Sequence, residues 1–211
     1  MRIGITGTPC TGKTTLAKAL AKKLRAKCVS ASDVVMRKKA IEKIEGSGEI
    51  IADLRKLKKE LEKIIEKSKK VVVEGHLICE FSLPLDVLVI LRANPLVLER
   101  RMRARRYAQD KIDENLLAEI IDYCLINSEQ NYAGRLKAKK TAILQVDASG
   151  GGAAKVSSQL VARFSPFPPK RGGSKGKAGG ALKNIVPPKE KGIDWSRMLL
   201  EGQFSRLARS K

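Results

Sequence analysis

Residues Gly7-Thr8-Pro9-Cys10-Thr11-Gly12-Lys13-Thr14 fit the spacing GxxxxGK(S/T), in which each position has a task at a phosphate. Glycines let successive backbone N–H groups close around phosphate oxygens. A helix opening near Lys13 points the positive end of its dipole at the same oxygens. Lys13 reaches the β- and γ-phosphates as a point charge, Thr14 offers Mg²⁺ a hydroxyl ligand, and Thr15 can donate to the α-phosphate. The plainer alternative is a glycine turn with no ligand. The loop follows an apolar run and precedes an amphipathic one, which is the context a phosphate loop needs. These residues point to ATP with Mg²⁺. They leave kinase, ATPase and GTPase open, although no NKxD-type guanine motif is present.

Further candidates lie at the ends of apolar runs. Glu74 closes Lys70–Glu74 (KVVVE), where a carboxylate can hold Mg²⁺ through water or orient a nucleophile; pairing with a lysine is the alternative. Arg92 ends another run, and Arg101 and Arg105 follow on a helix and loop, where guanidinium groups can spread the charge of a transferring phosphoryl group. The dense stretch Arg100–Arg106 also reads as a solvated or RNA-binding face. Asp33 is either a contact at an acceptor site or a helix cap. His76 is the sole histidine, and it is either a structural group or a functional one at the strand's end.

The elements that must carry these residues alternate. Arg2–Thr6, Lys27–Ser30, Lys70–Glu74, Asp86–Leu91 and Ala142–Val146 read as strands, and continuous apolar runs suit a parallel sheet covered on both faces. Helical spacing is expected over Lys13–Arg25, from Ser32 or Asp33 toward Ile44, over Ile50–Lys67, from Pro95, over Ile112–Leu136 and over Ala153–Phe164. The pattern predicts an α/β fold with a doubly wound parallel sheet. Ser165–Gly180 is rich in Pro, Gly and Lys, as a linker would be, and Ile193–Leu207 has Trp195, Met198, Leu199 and Phe204 as anchors for a short helix or a docking segment.

The chain has 211 residues and a formal net charge of +21, with 43 Lys+Arg against 22 Asp+Glu. That excess favours a polyanionic partner such as RNA, ribosome or acidic lipid, with a merely solvated basic surface as the alternative. Lys170, Arg171, Lys175, Lys177, Lys183, Lys189 and Lys191 could neutralise rRNA phosphates, or form an inert solubilising tail. The four cysteines, Cys10, Cys28, Cys79 and Cys124, make no CxxC or zinc-knuckle spacing and read as buried thiols of a reducing compartment. No apolar run is long enough to span a bilayer, and the expected location is cytoplasmic.

Four stretches carry a resemblance to a known group: GTPCTGKTT at Gly7–Thr15, VVVEGHL at Val71–Leu77, VILRANP at Val89–Pro95 and RMRARRYAQDKIDEN at Arg101–Asn115. They resemble the archaeal adenylate kinase-like family related to the eukaryotic nuclear adenylate kinase CINAP, whose lid has the form RxxxRGYxxxKxxEN. VDASG at Val146–Gly150 also fits. The resemblance implies a P-loop NTPase with NMP-binding and lid segments. Its implied activity is that of a broad-specificity nucleoside monophosphate kinase, ATP + AMP to two ADP, with ATPase activity. It implies work in late small-subunit ribosome maturation and 16S rRNA processing, with the platform protein uS-eleven as partner. By this match Cys10, Gly12, Lys13, Thr14, Thr15 and Arg105 contact ATP, and Arg105 is the lid arginine. His76 positions water or couples Mg²⁺ to the lid. Asp33, Arg37 and Arg92 face the NMP, and Thr14 and Glu74 serve Mg²⁺. The domain is expected over residues 1–164, with NMP binding near 30–53, a lid near 104–114 and a basic extension over 165–211. Four positions depart from the family: Cys10 replaces a common Gly, Glu74 a frequent Asp, and Arg106 the Gly of RGY. At the fourth, Met36 stands where an NMP-holding arginine is usual, with Arg37 next to it. An assembly ATPase with little NMP kinase activity is the alternative.

Overall fold

The computed structural model describes residues 1–44, 50–150, 152–164, 185–186, 193–200, 204 and 207. Its centre is a sheet in the order β2-β5-β1-β6-β7-β8. The strands are β1 (Arg2–Thr6), β2 (Lys27–Ser30), β5 (Val71–Glu74), β6 (Val87–Arg92), β7 (Ala142–Asp147) and β8 (Ile185–Val186). All neighbours are parallel except β8, which runs antiparallel to β7.

The strands alternate their side chains between two cores. Val71, Val73, Leu88 and Ile90 join one face, packed with Leu57, Leu61 and Ile65 of helix α3 (Leu54–Glu66). Val72, Val89 and Leu91 join the other, packed with Leu16 and Leu20 of α1 (Lys13–Leu24) and with Val156 and Leu160 of α8 (Ala153–Phe164). Burial on both faces explains why these strands read as continuous apolar runs. The expected doubly wound α/β fold is therefore present.

Three expected helices differ. The helix after β2 is α2 (Ala31–Arg37), and its N-cap is Ser30, whose Oγ accepts from Asp33 N at 3.4 Å. It stops at Arg37 instead of running to Ile44, because Lys39 turns to φ 49 and closes the last turn. Ile41–Ile44 (β3) and Ile50–Ala52 (β4) form an antiparallel pair instead of helical ends. β-branched isoleucines suit a pleated pair, and their spacing also mimics a helical stripe. Helix α3 then starts after Asp53, whose carboxylate accepts from Lys56 N at 2.9 Å. Finally, the long helix expected over Ile112–Leu136 is three: α5 (Gln109–Ile120), α6 (Tyr123–Asn131) and α7 (Ala133–Lys137). Asp122, at φ 60, makes the first break.

Helix α4 (Pro95–Ala104) opens with Pro95 at N1 and Asn94 as its cap. Met198, at the short helix α9 (Arg197–Leu200), is buried with Phe204 and Leu207 against Leu98, Met102, Ile112 and Leu116 of α4 and α5. This segment and β8 return part of 165–211 to the core, so residue 164 is not a packing boundary. The expected linker Ser165–Gly180 and the tail cations from Lys170 to Lys191 lie outside the described residues.

Candidate functional site

The site gathers at the C-terminal ends of β5, β1 and β6, where open parallel sheets place their ligands. β1 delivers the Gly7–Gly12 loop directly into α1. Gly7 has φ 140, and a Cβ there would lie 2.2 Å from the Leu91 carbonyl oxygen. Only glycine fits that approach. Gly12 (φ 102) and Cys10 (φ 66) are also left-handed, which curls the loop around its own N–H groups. Lys13 Nζ donates to Thr8 O at 2.8 Å and Thr11 Oγ1 to the same carbonyl, also at 2.8 Å. Burial pulls the Lys13 ammonium below the ordinary lysine range, opposed by the nearby Cys124, Glu74, Cys10 and Glu119.

Glu74 pairs in register with Ile5 of the loop strand, as expected, and is buried. Among the described residues its carboxylate has no hydrogen-bond donor, and the charge facing it is Lys13. The Thr14 hydroxyl is exposed at the start of α1. A strand-end carboxylate without a donor and an exposed threonine at the start of α1 are oxygen groups that fit a hydrated Mg²⁺.

Cavities lie on both sides of the loop. One of about 400 Å³ is lined by Cys10, Gly12, Thr15, Arg101, Arg105 and Val156, among others. Arg101 is anchored there by donating to Ala148 O at 2.9 Å. Arg105 Nη1 reaches Cys10 Sγ at 3.5 Å, and burial first, then the neighbouring Cys10, push the Tyr107 phenol up. The cysteine that stands where the resemblance expects a glycine is thus where the loop meets Arg105. Arg106 (φ 58) is the left-handed residue of a Schellman motif closing α4: Tyr107 N donates to Met102 O at 3.2 Å and Arg106 N to Arg103 O at 2.9 Å. That is the position where RGY carries its glycine.

On the other side a cavity of about 720 Å³ is lined by Thr8, His76, Cys79, Glu80, Tyr107, Lys111, Tyr123 and Cys124, among others. It continues through His76, Glu80 and Tyr123 into one of about 560 Å³, reaching Ser32, Met36, Glu42 and Ile51. His76 stands on a single 3-10 turn, His76–Cys79, tied to β1 because Thr6 Oγ1 donates to His76 O at 3.1 Å. Burial of the imidazole, then the Lys13 charge, lower its pKa from 6.5, with Glu80 pulling the other way. The neutral ring that results can accept a proton.

The structure brings Lys13, Thr14, Glu74, His76, Arg101 and Arg105 around one loop. It does not bring Arg92 there. Arg92 is 1% exposed. Its Nε donates to Glu119 Oε1 at 2.7 Å, Nη2 to Glu119 O at 2.8 Å and Nη1 to Ile193 O at 3.3 Å, with an ion pair to Asp122. Its donors are used inside the protein, which corrects the expectation that it faces an NMP. Asp33 and Arg37 are exposed on α2; the α2 residues lining the cavity are Ser32, Val35 and Met36. Sequence reasoning missed Thr8, Glu119, Cys79 and Cys124. No local spacing marks them, because their partners come from distant segments.

The AAA domain family matches residues 3–122. The chain is 38% identical over 130 residues to "Putative adenylate kinase" of Methanocaldococcus jannaschii, covering 61% of this chain and 72% of that one. The same name belongs to a Pyrococcus furiosus protein at 36% identity (71% of this chain, 76% of that one) and to one of Thermococcus onnurineus at 30% (82% and 89%). In fold it is similar to shikimate kinase from Acinetobacter baumannii (TM-score 0.52, 14% identity, 77% of this chain, 91% of that one). Shikimate kinase from Aquifex aeolicus is similar too (TM-score 0.50, 21% identity, 78% and 96%). A phosphate loop on a parallel sheet, matched by these relatives, makes the chain a member of the AAA-domain family and of the archaeal family named "Putative adenylate kinase".

Proposed function

We propose that this protein is a broad-specificity nucleoside monophosphate kinase, ATP + AMP to two ADP, that also hydrolyses ATP. The observation that carries the reading is the phosphate loop standing between two cavities, with Arg101 and Arg105 on one side and His76 on the other. The donor nucleotide occupies the first and the acceptor the second, so an in-line transfer crosses the loop. Mg²⁺, when bound, neutralises charge on the phosphates. Lys13 holds the β- and γ-phosphates, Arg101 and Arg105 spread the charge of the transferring group, and neutral His76 orients the acceptor oxygen or a water. Residues 30–53 serve as the NMP-binding segment and 104–114 as the lid. Kinship with CINAP extends the reading to late small-subunit maturation and 16S rRNA processing in the cytoplasm. There uS-eleven is the partner, and the basic tail is an rRNA contact. Among the described residues no helix is long and apolar enough to cross a membrane.

One observation favours the second reading, an assembly ATPase with little NMP kinase activity. The acceptor cavities are lined by Glu42, Glu80, Asp110 and Glu114, and among the described residues their one lining Lys or Arg is Lys111, 3.0 Å from Glu114. That lining suits water better than a phosphate dianion. The test is ADP formation from ATP·Mg²⁺ with and without AMP, in wild type, Lys13→Ala and His76→Ala. AMP stimulation abolished by Lys13→Ala supports the kinase. Slow AMP-independent hydrolysis lost in both variants supports the ATPase, and inactivity throughout overturns both.

A further inference from the structure

Cys79 and Cys124 are far apart in the chain, yet both line the cavity beside the phosphate loop. Helix α6, which carries Cys124, packs on the 3-10 turn that carries Cys79, and Asn131 Nδ2 of α6 donates to Cys79 O at 3.0 Å. The Cys79 thiol has two acceptors in reach, His76 O at 3.0 Å and Glu80 Oε1 at 3.4 Å. Cys124 occupies the first turn of α6, where the helix dipole favours a thiolate. Lys13 lies close enough for each to influence the other's charge. We propose that Cys79 and Cys124 are an oxidative modification site, closed to a disulfide by peroxides, that reversibly switches off the adjoining phosphate-transfer site.

The Cys124 thiolate attacks one peroxide oxygen, the O–O bond breaks, and the leaving hydroxide takes a proton to become water. Cys124 is then a sulfenic acid. The Cys79 sulfur attacks that sulfur, the S–O bond breaks, and the second water leaves with the Cys79 proton. Two thiols lose two electrons and two hydrogens, and the peroxide becomes two waters. Cys124 is the reactive partner because it sits in the first turn of α6 and the neighbouring Cys79 thiol lowers its pKa against the opposing effects of burial and Glu119, with Lys13 adding to the lowering; Cys28, although exposed, has its pKa raised by burial of its sulfur and by Glu74.

Two sulfurs must come to about 2.0 Å to bond. That draws α6 and the 3-10 turn together. His76 stands on that turn and Tyr123 precedes Cys124, and both line the acceptor cavity. A displacement of about 1 Å near a reacting group is worth up to about a hundredfold in rate.

The full chain is treated with hydrogen peroxide, then assayed for ATP turnover and for binding of a fluorescent ATP analogue. Unreduced peptides are mapped by mass. The expected result is a Cys79–Cys124 cross-linked peptide minus two hydrogens, with turnover falling about tenfold or more and returning with dithiothreitol. Cys79→Ser and Cys124→Ser are expected to keep their starting turnover through the same treatment. Absence of the cross-link at a dose that oxidises Cys28 overturns the site. A cross-link without loss of turnover, or equal loss in both variants, overturns the switch. Mapping and nucleotide binding read out whether or not AMP is the acceptor, so failure here is distinguishable from failure of the kinase reading.

Discussion

Thr8 Oγ1 donates to Glu119 Oε2 at 2.5 Å, while the other oxygen of the same carboxylate accepts from Arg92 Nε at 2.7 Å and from Ala93 N at 3.1 Å. One carboxylate on α5 therefore clamps the phosphate loop to the end of β6. Glu119, 2% exposed, supplies the charge that makes burial of Arg92 tolerable.

Breaking that clamp leaves a buried charge uncompensated. Glu119→Ala and Arg92→Ala should each lose about 3–5 kcal/mol of stability in urea unfolding. Thr8→Val, which strands one carboxylate oxygen, should lose about 1–3 kcal/mol. If Arg92→Ala instead keeps its stability and raises only the KM for AMP, the structural role is wrong.

Two non-glycine residues, Cys10 and Arg106, hold left-handed backbone at the phosphate loop and just after α4. For an L-residue this conformation costs about 1–2 kcal/mol, part of which glycine returns through its greater unfolded-state entropy. Arg106→Gly should therefore stabilise the protein by about 0.5–1 kcal/mol. Cys10→Gly relieves the same strain but removes the sulfur that Arg105 reaches. It should loosen the segment that follows α4, read as faster amide exchange over residues 105–108. Conversely, Gly7→Ala should abolish nucleotide binding, measured by titration calorimetry, because its Cβ would collide with the Leu91 carbonyl.

A single histidine makes the site's titration directly visible by NMR. Burial and Lys13 both penalise the imidazolium, so the His76 midpoint should lie below 6.5. A proton-accepting role then keeps turnover flat from neutrality down to that midpoint and loses it below. Glu80 raises the midpoint, so Glu80→Gln should move the titration and the acid limb together to lower pH. A midpoint above 6.5 would contradict the cause assigned.

Phe204 is 1% exposed among Leu98, Met102, Ile112 and Leu116. Phe204→Ala should cost about 3–5 kcal/mol in urea unfolding, as truncation of a fully buried aromatic does. A change below about 0.5 kcal/mol, the range of surface positions, would mean that the segment does not pack there.

What the amino-acid order determines by itself is contiguous. The phosphate loop is legible because its eight positions act through their own backbone, and the flanking strands because burial on both faces leaves no polar alternation. Helix α8 is legible over Ala153–Phe164 for the same local reason, a strong apolar stripe. Spacing alone misleads where one pattern suits two structures. Ile41, Ile44, Ile50 and Ile51 fit a helical stripe, but β-branching and the Lys39 turn send them into a hairpin. Tertiary structure decides whatever depends on distant partners. Arg92 ends a strand in either reading, but only the fold shows that Glu119 and Asp122 claim its guanidinium before any ligand can. The cysteines form no motif in sequence; the packing of α6 on the 3-10 turn makes two of them neighbours and leaves Cys28 exposed. Local propensity acts through a few bonds, whereas burial and charge pairing act through space, and a side chain's chemistry belongs to whichever groups the fold sets beside it.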